Sequence, residues 1–272
     1  MLQATEVTFG YDDQKRVLRG VSLAVTAGSI VGILGPNGSG KTTLLRLLAG
    51  TRHPQSGSVT LDATPLAAMS RVGLARRMAV VPQETQLAFD YTVAEVAMMG
   101  RYAHLRPFQI EGPSDEAVVD EALASTGTLA FKDRLFATLS GGEKQRVVIA
   151  SALAQIFRLT SDVTPSNPGY LLLDEPTASL DLGYQLDVTA LLQKLHQERG
   201  VTVVVSTHDL ALAGARCRRV LLLRDGLVLA EGTTEATLTP ENVRRLYGVE
   251  VDVLQHASGR RVLVPIGRSA DA

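Results

Sequence analysis

Apolar residues follow two rhythms along this chain. Leu2–Phe9 and Val17–Val25 alternate in part between apolar and polar positions, the period of a half-buried strand. Short continuous apolar runs follow at Ser29–Leu34, Met78–Val81, Tyr170–Leu173 and Val201–Ser206. The first of these ends at a glycine turn. Between them, Lys41–Ala49, Asp115–Thr126, Gly142–Gln155 and Gly183–Glu198 have helical character. In the last segment Leu186, Leu191, Leu192 and Leu195 recur at helical spacing. Apolar strands separated by helical crossovers predict an α/β fold, with a mainly parallel sheet covered on both faces. The first two strands have no crossover between them and predict a small antiparallel sheet. Residues from about Thr92 to Gln155 read as a mostly helical subdomain. Phe157–Gly169 (FRLTSDVTPSNPG) is polar and proline-rich and reads as a surface loop. The tail Val249–Ile266 alternates again, with Ser258-Gly259 as its turn.

Composition narrows the function classes. With 272 residues, 45% hydrophobic and 20% charged, the chain can bury its own core as one large domain or two modest ones. Lys and Arg number 27 against 28 Asp and Glu, and aromatics are 4% with no tryptophan. Neither general basicity nor a stacking platform is present, so no nucleic-acid partner is expected. Cys217 is the single cysteine, which excludes an intrachain disulfide and a zinc cluster. It reads as a small buried apolar residue. The longest apolar runs, such as Val220–Leu223, fall far short of the ~18 residues that cross a bilayer. Met1–Tyr11 has neither region of a secretory signal. The expectation is a cytoplasmic protein that reaches a membrane only by docking onto something else.

Three stretches carry chemistry. Gly35-Pro36-Asn37-Gly38-Ser39-Gly40-Lys41-Thr42 fits G-x-x-x-x-G-K-[ST] and lies between an apolar strand and a helix. Glycines let several N–H groups converge on one anion, and the helix start adds a positive dipole end. Lys41 can reach the β- and γ-phosphates, and Thr42 can offer its hydroxyl to Mg²⁺. A chance match in a chain of this length is on the order of one in a hundred. Second, Leu171-Leu-Leu-Asp174-Glu175 is an apolar strand ending in two carboxylates. Asp174 suits Mg²⁺, and Glu175 suits polarisation of the water that attacks the γ-phosphate. Third, Leu139-Ser140-Gly141-Gly142-Glu143 opens a helix. Ser140 and Glu143 have the spacing of a capping box, which needs no ligand. Two glycines in a first turn are poor helix formers, and make sense where something approaches that backbone closely.

In order and spacing these stretches resemble the ATP-binding subunits of ABC transporters, over roughly Leu2–Glu231. The resemblance takes in LSGGE, YLLLDEPTASLD, Gln83 in VVPQET and His208 in STHDL. It implies a P-loop NTPase with a RecA-like parallel-sheet core, a small N-terminal antiparallel sheet and a helical subdomain. The whole, 1–272, would be one ABC domain. Its core would lie in about 1–91 and 156–248, its helical signature subdomain in about 92–155, and a short tail in 249–272. The substrate implied is ATP with Mg²⁺. Tyr11 would stack on adenine, and Gly35 to Thr42 with Thr43 would wrap the phosphates. Thr42, Gln83 and Asp174 would hold Mg²⁺, and Lys41, Gln83, Glu175 and His208 would form the catalytic set. Ser140, Gly141 and Gly142 of one subunit would bind the γ-phosphate held by the other. Asp181 would lie in the loop facing that subunit, so that a homodimer sandwiches two ATP molecules. His53, His104, His196 and His256 lack ligand spacing and read as surface or structural. Arg76-Arg77 and Arg218-Arg219 read as solvated or locally paired.

The resemblance extends to a subgroup. Each motif occurs once and no transmembrane segment is visible, so the partners implied are two separate integral membrane permease subunits and, through them, a periplasmic substrate-binding protein. The chain would sit at the cytoplasmic face of the inner membrane. GPNGSGKTTLLRLLAG and RRMAVVPQ resemble the iron-chelate, haem and cobalamin importers. The 157–169 insert, the tail EVDVLQHASGRRVLVP and the lack of a long regulatory extension resemble haemin importers in particular. Haem import is the expectation, with siderophore or cobalamin import behind it. A soluble ABC-type ATPase of iron–sulfur cluster assembly is the alternative of another class, and tight association with a membrane protein discriminates. This step is family analogy, since the cargo touches no residue of this chain.

Overall fold

A computed structural model describes residues 1–12, 15–85, 87–157, 169–178, 180–255 and 261–269. Two compact units divide the chain, one made of Met1–Ala68 with Val204–Ala272, the other of Met69–Val203. The first unit opens with β1 (Leu2–Gly10), β2 (Arg16–Val25), β3 (Ile30–Leu34), α1 (Lys41–Leu48), β4 (Ser56–Leu61) and β5 (Thr64–Pro65). The chain then builds the second unit from α2 (Arg71–Ala75), β6 (Met78–Val81), α3 (Val93–Met98), α4 (Pro113–Ser125), α5 (Gly141–Ile156), β7 (Tyr170–Asp174) and α6 (Leu182–Arg199). Strand β8 (Thr202–Thr207) leads back to the first unit. There α7 (Leu210–Arg216), β9 (Arg219–Arg224), β10 (Leu227–Thr233), α8 (Thr234–Thr237), α9 (Pro240–Tyr247), β11 (Val249–Gln255) and β12 (Arg261–Arg268) complete it.

The first unit holds an antiparallel sheet in the order β2-β1-β4-β5. The alternation in β1 is only partial because its register shifts between Ala4 and Val7. Glu6 sits there at φ +49°, and the buried set changes phase from Leu2 and Ala4 to Val7 and Phe9. The same unit places β10, β9, β3 and the later part of β8 side by side. β3 and β9 are parallel, Val31 opposite Arg219, whereas β10 returns antiparallel to β9. All five residues of β3 are buried, as a strand covered on both faces requires. Cys217 is buried next to β9, and burial pushes its thiol pKa up to about 12. The tail forms an antiparallel hairpin of β11 and β12, Val249 opposite Arg268. The expected turn at Ser258-Gly259, and His256, lie outside the described residues.

In the second unit β6 and β7 are parallel, Met78 opposite Tyr170. Helices α3, α4 and α5 share a core of Val93, Val96, Val118, Leu123, Val147 and Leu153. Arg101 is buried at its edge: its Nε donates to Asp115 Oδ1 at 3.0 Å and its Nη1 to the Ala154 carbonyl at 2.7 Å. His104 meets the Gln155 carbonyl at 2.8 Å, a structural contact, and its desolvation lowers its pKa. In α6 the buried face is Val188, Leu191, Leu192 and Leu195. Leu186, expected on that face, is 61% exposed, because it lies roughly 200° round the helix from Val188. Of the insert expected at 157–169, residues 158–168 lie outside the described residues.

Candidate functional site

The first unit carries the phosphate-loop pattern between β3 and α1. Gly40 is the N-cap of α1 at φ +106° and has no side chain to cap the first turn. No side chain at the cap competes with an external acceptor for the start of the helix. A Cβ at Gly40 would lie 2.7 Å from Leu18 Cδ2. One at Gly35 would lie 2.2 Å from the Leu223 carbonyl oxygen and 2.6 Å from Ser39 Oγ. Neither position admits a larger residue without moving its surroundings. Ser39 is only 2% exposed, and its buried Oγ has no hydrogen-bond partner. Lys41 is buried and folds back over the loop, donating from Nζ to the carbonyls of Gly35 at 2.8 Å and Pro36 at 3.1 Å. Asn37 and Gly38 form the exposed tip. A backbone curled around its own lysine, with a buried hydroxyl left over, fits the chemistry of a polyanion.

Tyr11 stands beside this loop. Its hydroxyl meets Thr43 Oγ1 at 3.3 Å and accepts from Arg46 Nη1 at 3.1 Å. The ring takes an edge from Phe9, with centroids 5.1 Å apart, and Arg52 lies 5.9 Å from its centroid. Partial burial raises the phenol pKa, but the bonds to Thr43 and Arg46 and the two guanidinium charges outweigh it, so the net shift is downward. The ring remains 53% exposed. His208 is exposed at the end of β8. The next residue, Asp209, caps α7 through the N–H groups of Ala211 and Leu212.

The second unit carries the remaining candidates. Gln83 is exposed in the bend after β6. Asp174 is the buried last residue of β7, and Glu175 follows in the left-handed region at φ +45°. Such a backbone is strained for a residue with a side chain. The turn beyond is held by Gln185 of α6, whose Nε2 donates to the carbonyls of Thr177 at 3.3 Å and Leu180 at 2.9 Å. Asp181 caps α6, accepting the Tyr184 N–H at 3.1 Å.

The LSGGE stretch forms the capping box its spacing allows. Ser140 Oγ accepts the Glu143 N–H at 3.3 Å, and the Ser140 N–H donates to Glu143 Oε2 at 2.8 Å. The second of these bonds is the main cause that holds the Glu143 carboxyl below its ordinary pKa. Sequence reasoning missed what stands against Gly142, which is the ring of Tyr184. A Cβ at Gly142 would fall 2.1 Å from Tyr184 Cδ1, and Ser140 Oγ also donates to Tyr184 Oη at 3.2 Å. The one available signal was position, three residues past the capping Asp181. A further opening in this unit, about 640 Å³, is lined by Tyr91, Ala94, Met98, Met99 and Tyr102 among others. Among the described residues no group of three or more His, Cys, Asp or Glu side chains is placed to hold a metal ion.

The family model of ABC transporters matches residues 18–178. The chain belongs to that family. This ABC cassette is 41% identical to a hemin import ATP-binding protein, HmuV, of Gloeobacter violaceus, over 93% of this chain and 90% of that protein. It is 38% identical to the cobalamin import ATP-binding protein BtuD of Halobacterium salinarum, over 92% of this chain and 60% of that one. A solved metal-chelate type ABC transporter, in an inward-facing conformation, matches with TM-score 0.82 at 29% identity, covering 97% of this chain and 96% of that one. The cassette is thus an ABC-type, ATP-hydrolysing subunit of an importer, with the α/β fold read from its sequence.

Proposed function

We propose that this cassette powers import of haem through a separate membrane permease, as a homodimer that closes on two molecules of MgATP. The observation that carries the cargo is the likeness to a hemin import subunit along nearly the whole chain. The buried, unpartnered Ser39 hydroxyl and the uncapped start of α1 support a triphosphate at the loop. In this reading Gly35 to Thr43 cradle the phosphates and Tyr11 stacks its exposed ring on adenine. Lys41 leaves the loop carbonyls for the β- and γ-phosphates. The Mg²⁺ that accompanies ATP neutralises phosphate charge, and the hard oxygens of Thr42, Gln83 and Asp174 suit it. Glu175 accepts a proton from the attacking water, and His208 donates to the γ-phosphate. Ser140, Gly141 and Gly142 bind the γ-phosphate of the partner subunit's nucleotide, with Asp181 at the contact.

The groove lined by Met98 and Met99 is where the permease would press, at the cytoplasmic face of the membrane. Among the described residues no helix is long and apolar enough to cross a bilayer, and in this reading force passes to the permease chain. The likeness to a cobalamin import protein favours a second reading, import of cobalamin or a ferric siderophore. Reconstitution with the cognate permease and binding protein decides between them. ATP-dependent uptake of haem, and not of cobalamin or a ferric siderophore, is the expected result. Uptake of either competitor without haem overturns the cargo and leaves the ATPase standing. Met98→Glu is expected to abolish uptake while basal hydrolysis stays within a few-fold. Activity equal with and without a permease would favour a soluble ATPase.

A further inference from the structure

One residue meets three of the candidate residues, two through its side chain and one through its backbone, and no motif contains it. Tyr184 donates its backbone N–H to Asp181 Oδ1 at 3.1 Å, and its hydroxyl accepts from Ser140 Oγ at 3.2 Å. Its ring lies flat enough on Gly142 that a Cβ there would come within 2.1 Å of Cδ1 and 2.3 Å of Cγ. A phenylalanine would fill the same space. The hydroxyl needs its own account.

A serine hydroxyl has one proton and two lone pairs. At Ser140 one lone pair takes the Glu143 N–H, and the proton points to Tyr184. A phosphate oxygen only accepts, so Ser140 can bind one only by turning that proton away from Tyr184. The phenol can then reverse and donate its own proton to the second lone pair of Ser140. Both hydroxyls stay hydrogen-bonded to each other through the exchange, and a chain of hydrogen bonds running one way strengthens its last member. Only two hydroxyl rotors turn.

We propose that Tyr184 is a positioning residue for Ser140, holding the serine proton until a phosphate oxygen arrives and then donating to the serine in its place. The inference rests on the reading of Ser140 as a γ-phosphate ligand.

The test is a double-mutant cycle in the full chain with Tyr184→Phe, Ser140→Ala and the double variant. The readouts are the ATP dependence of hydrolysis and the binding of a fluorescent ATP analogue to the single chain. Tyr184→Phe is expected to raise the KM for ATP roughly three- to tenfold, the weight of one neutral hydrogen bond, with kcat within about twofold. Analogue binding should not change, because the phosphate loop is untouched. In the Ser140→Ala background the second substitution should add nothing. Additive effects, an unchanged KM, or a loss confined to kcat would overturn the role of Tyr184. If Ser140→Ala itself hydrolyses ATP like the parent, the reading of Ser140 fails first and takes this inference with it. If Ser140→Ala is impaired and Tyr184→Phe is not, only the inference fails. A melting temperature for each variant accompanies the kinetics, and the cycle corrects for any common loss of stability.

Discussion

Glu175 is a residue whose backbone and chemistry point the same way. It holds a left-handed conformation directly after a buried strand, at a cost of about 1–3 kcal/mol that the surrounding fold must offset. Glu175→Gln keeps the size and removes the carboxylate proposed as the base. Turnover is expected to fall roughly 10²–10⁴-fold while ATP binding persists. Single-turnover hydrolysis beside equilibrium nucleotide binding checks this, and near-normal turnover would remove Glu175 from its role. Gly142 shows a different necessity. The sequence suggested that a ligand approaches this glycine, and the tertiary structure puts the Tyr184 ring against it. Gly142→Ala therefore overpacks the start of α5 and should cost about 1–3 kcal/mol in urea unfolding. Most of that loss should disappear when Tyr184→Ala opens the space. A Gly142→Ala protein as stable as its parent would show that the ring moves aside freely.

At the scale of elements, caps decide where helices begin. Thr92 with Glu95 and Ser140 with Glu143 close the same reciprocal box at α3 and α5. The hydrogen bond from the Ser140 backbone N–H is the largest of the contacts that depress the Glu143 pKa in the folded chain. A depressed carboxyl pKa contributes stability above its unfolded value and loses it as pH falls through the folded value. Glu143→Gln retains a neutral partner for the box without the charge. The melting-temperature advantage of the parent over this variant should be present near pH 7 and shrink below about pH 4. An advantage that grows on acidification would contradict the assignment. Elements also show where periodicity misleads. The apolar positions of α6 include Leu186, yet only Val188, Leu191, Leu192 and Leu195 complete one face.

For the whole molecule the open question is association. The start of α5 offers a backbone that the family resemblance gives to another chain's nucleotide, and the phosphate loop is the complementary half. ATP should therefore drive dimerisation, most visibly for Glu175→Gln, which is expected to keep nucleotide and hydrolyse it slowly. Light scattering with and without MgATP reads this directly. A protein that stays monomeric while saturated with ATP, alone and with its permease, would remove the sandwich. On the proposed function the cargo meets other chains, so variants of this one should change the rate of uptake and not its selectivity.

The sequence by itself determined the α/β class, the positions of β3, β6, β7 and β8, and the membership of the ABC family. These are local properties: a continuous apolar run marks a doubly covered strand, and a phosphate loop is a contiguous stretch. The phosphate loop, the Asp174-Glu175 strand end and the Ser140–Glu143 helix start were likewise read as candidates from contiguous motifs. The short strands β4 and β5 were not, because SGSVTL opens on exposed polar residues and becomes a strand only against β1. The tertiary structure alone decided which neighbours those residues have: Arg46 and Arg52 beside Tyr11, the lysine folded over its own loop, and Tyr184 between Ser140, Gly142 and Asp181. Spacing along a chain fixes what lies one helical turn away. It carries no information about a ring 42 residues further on that comes to rest against a glycine.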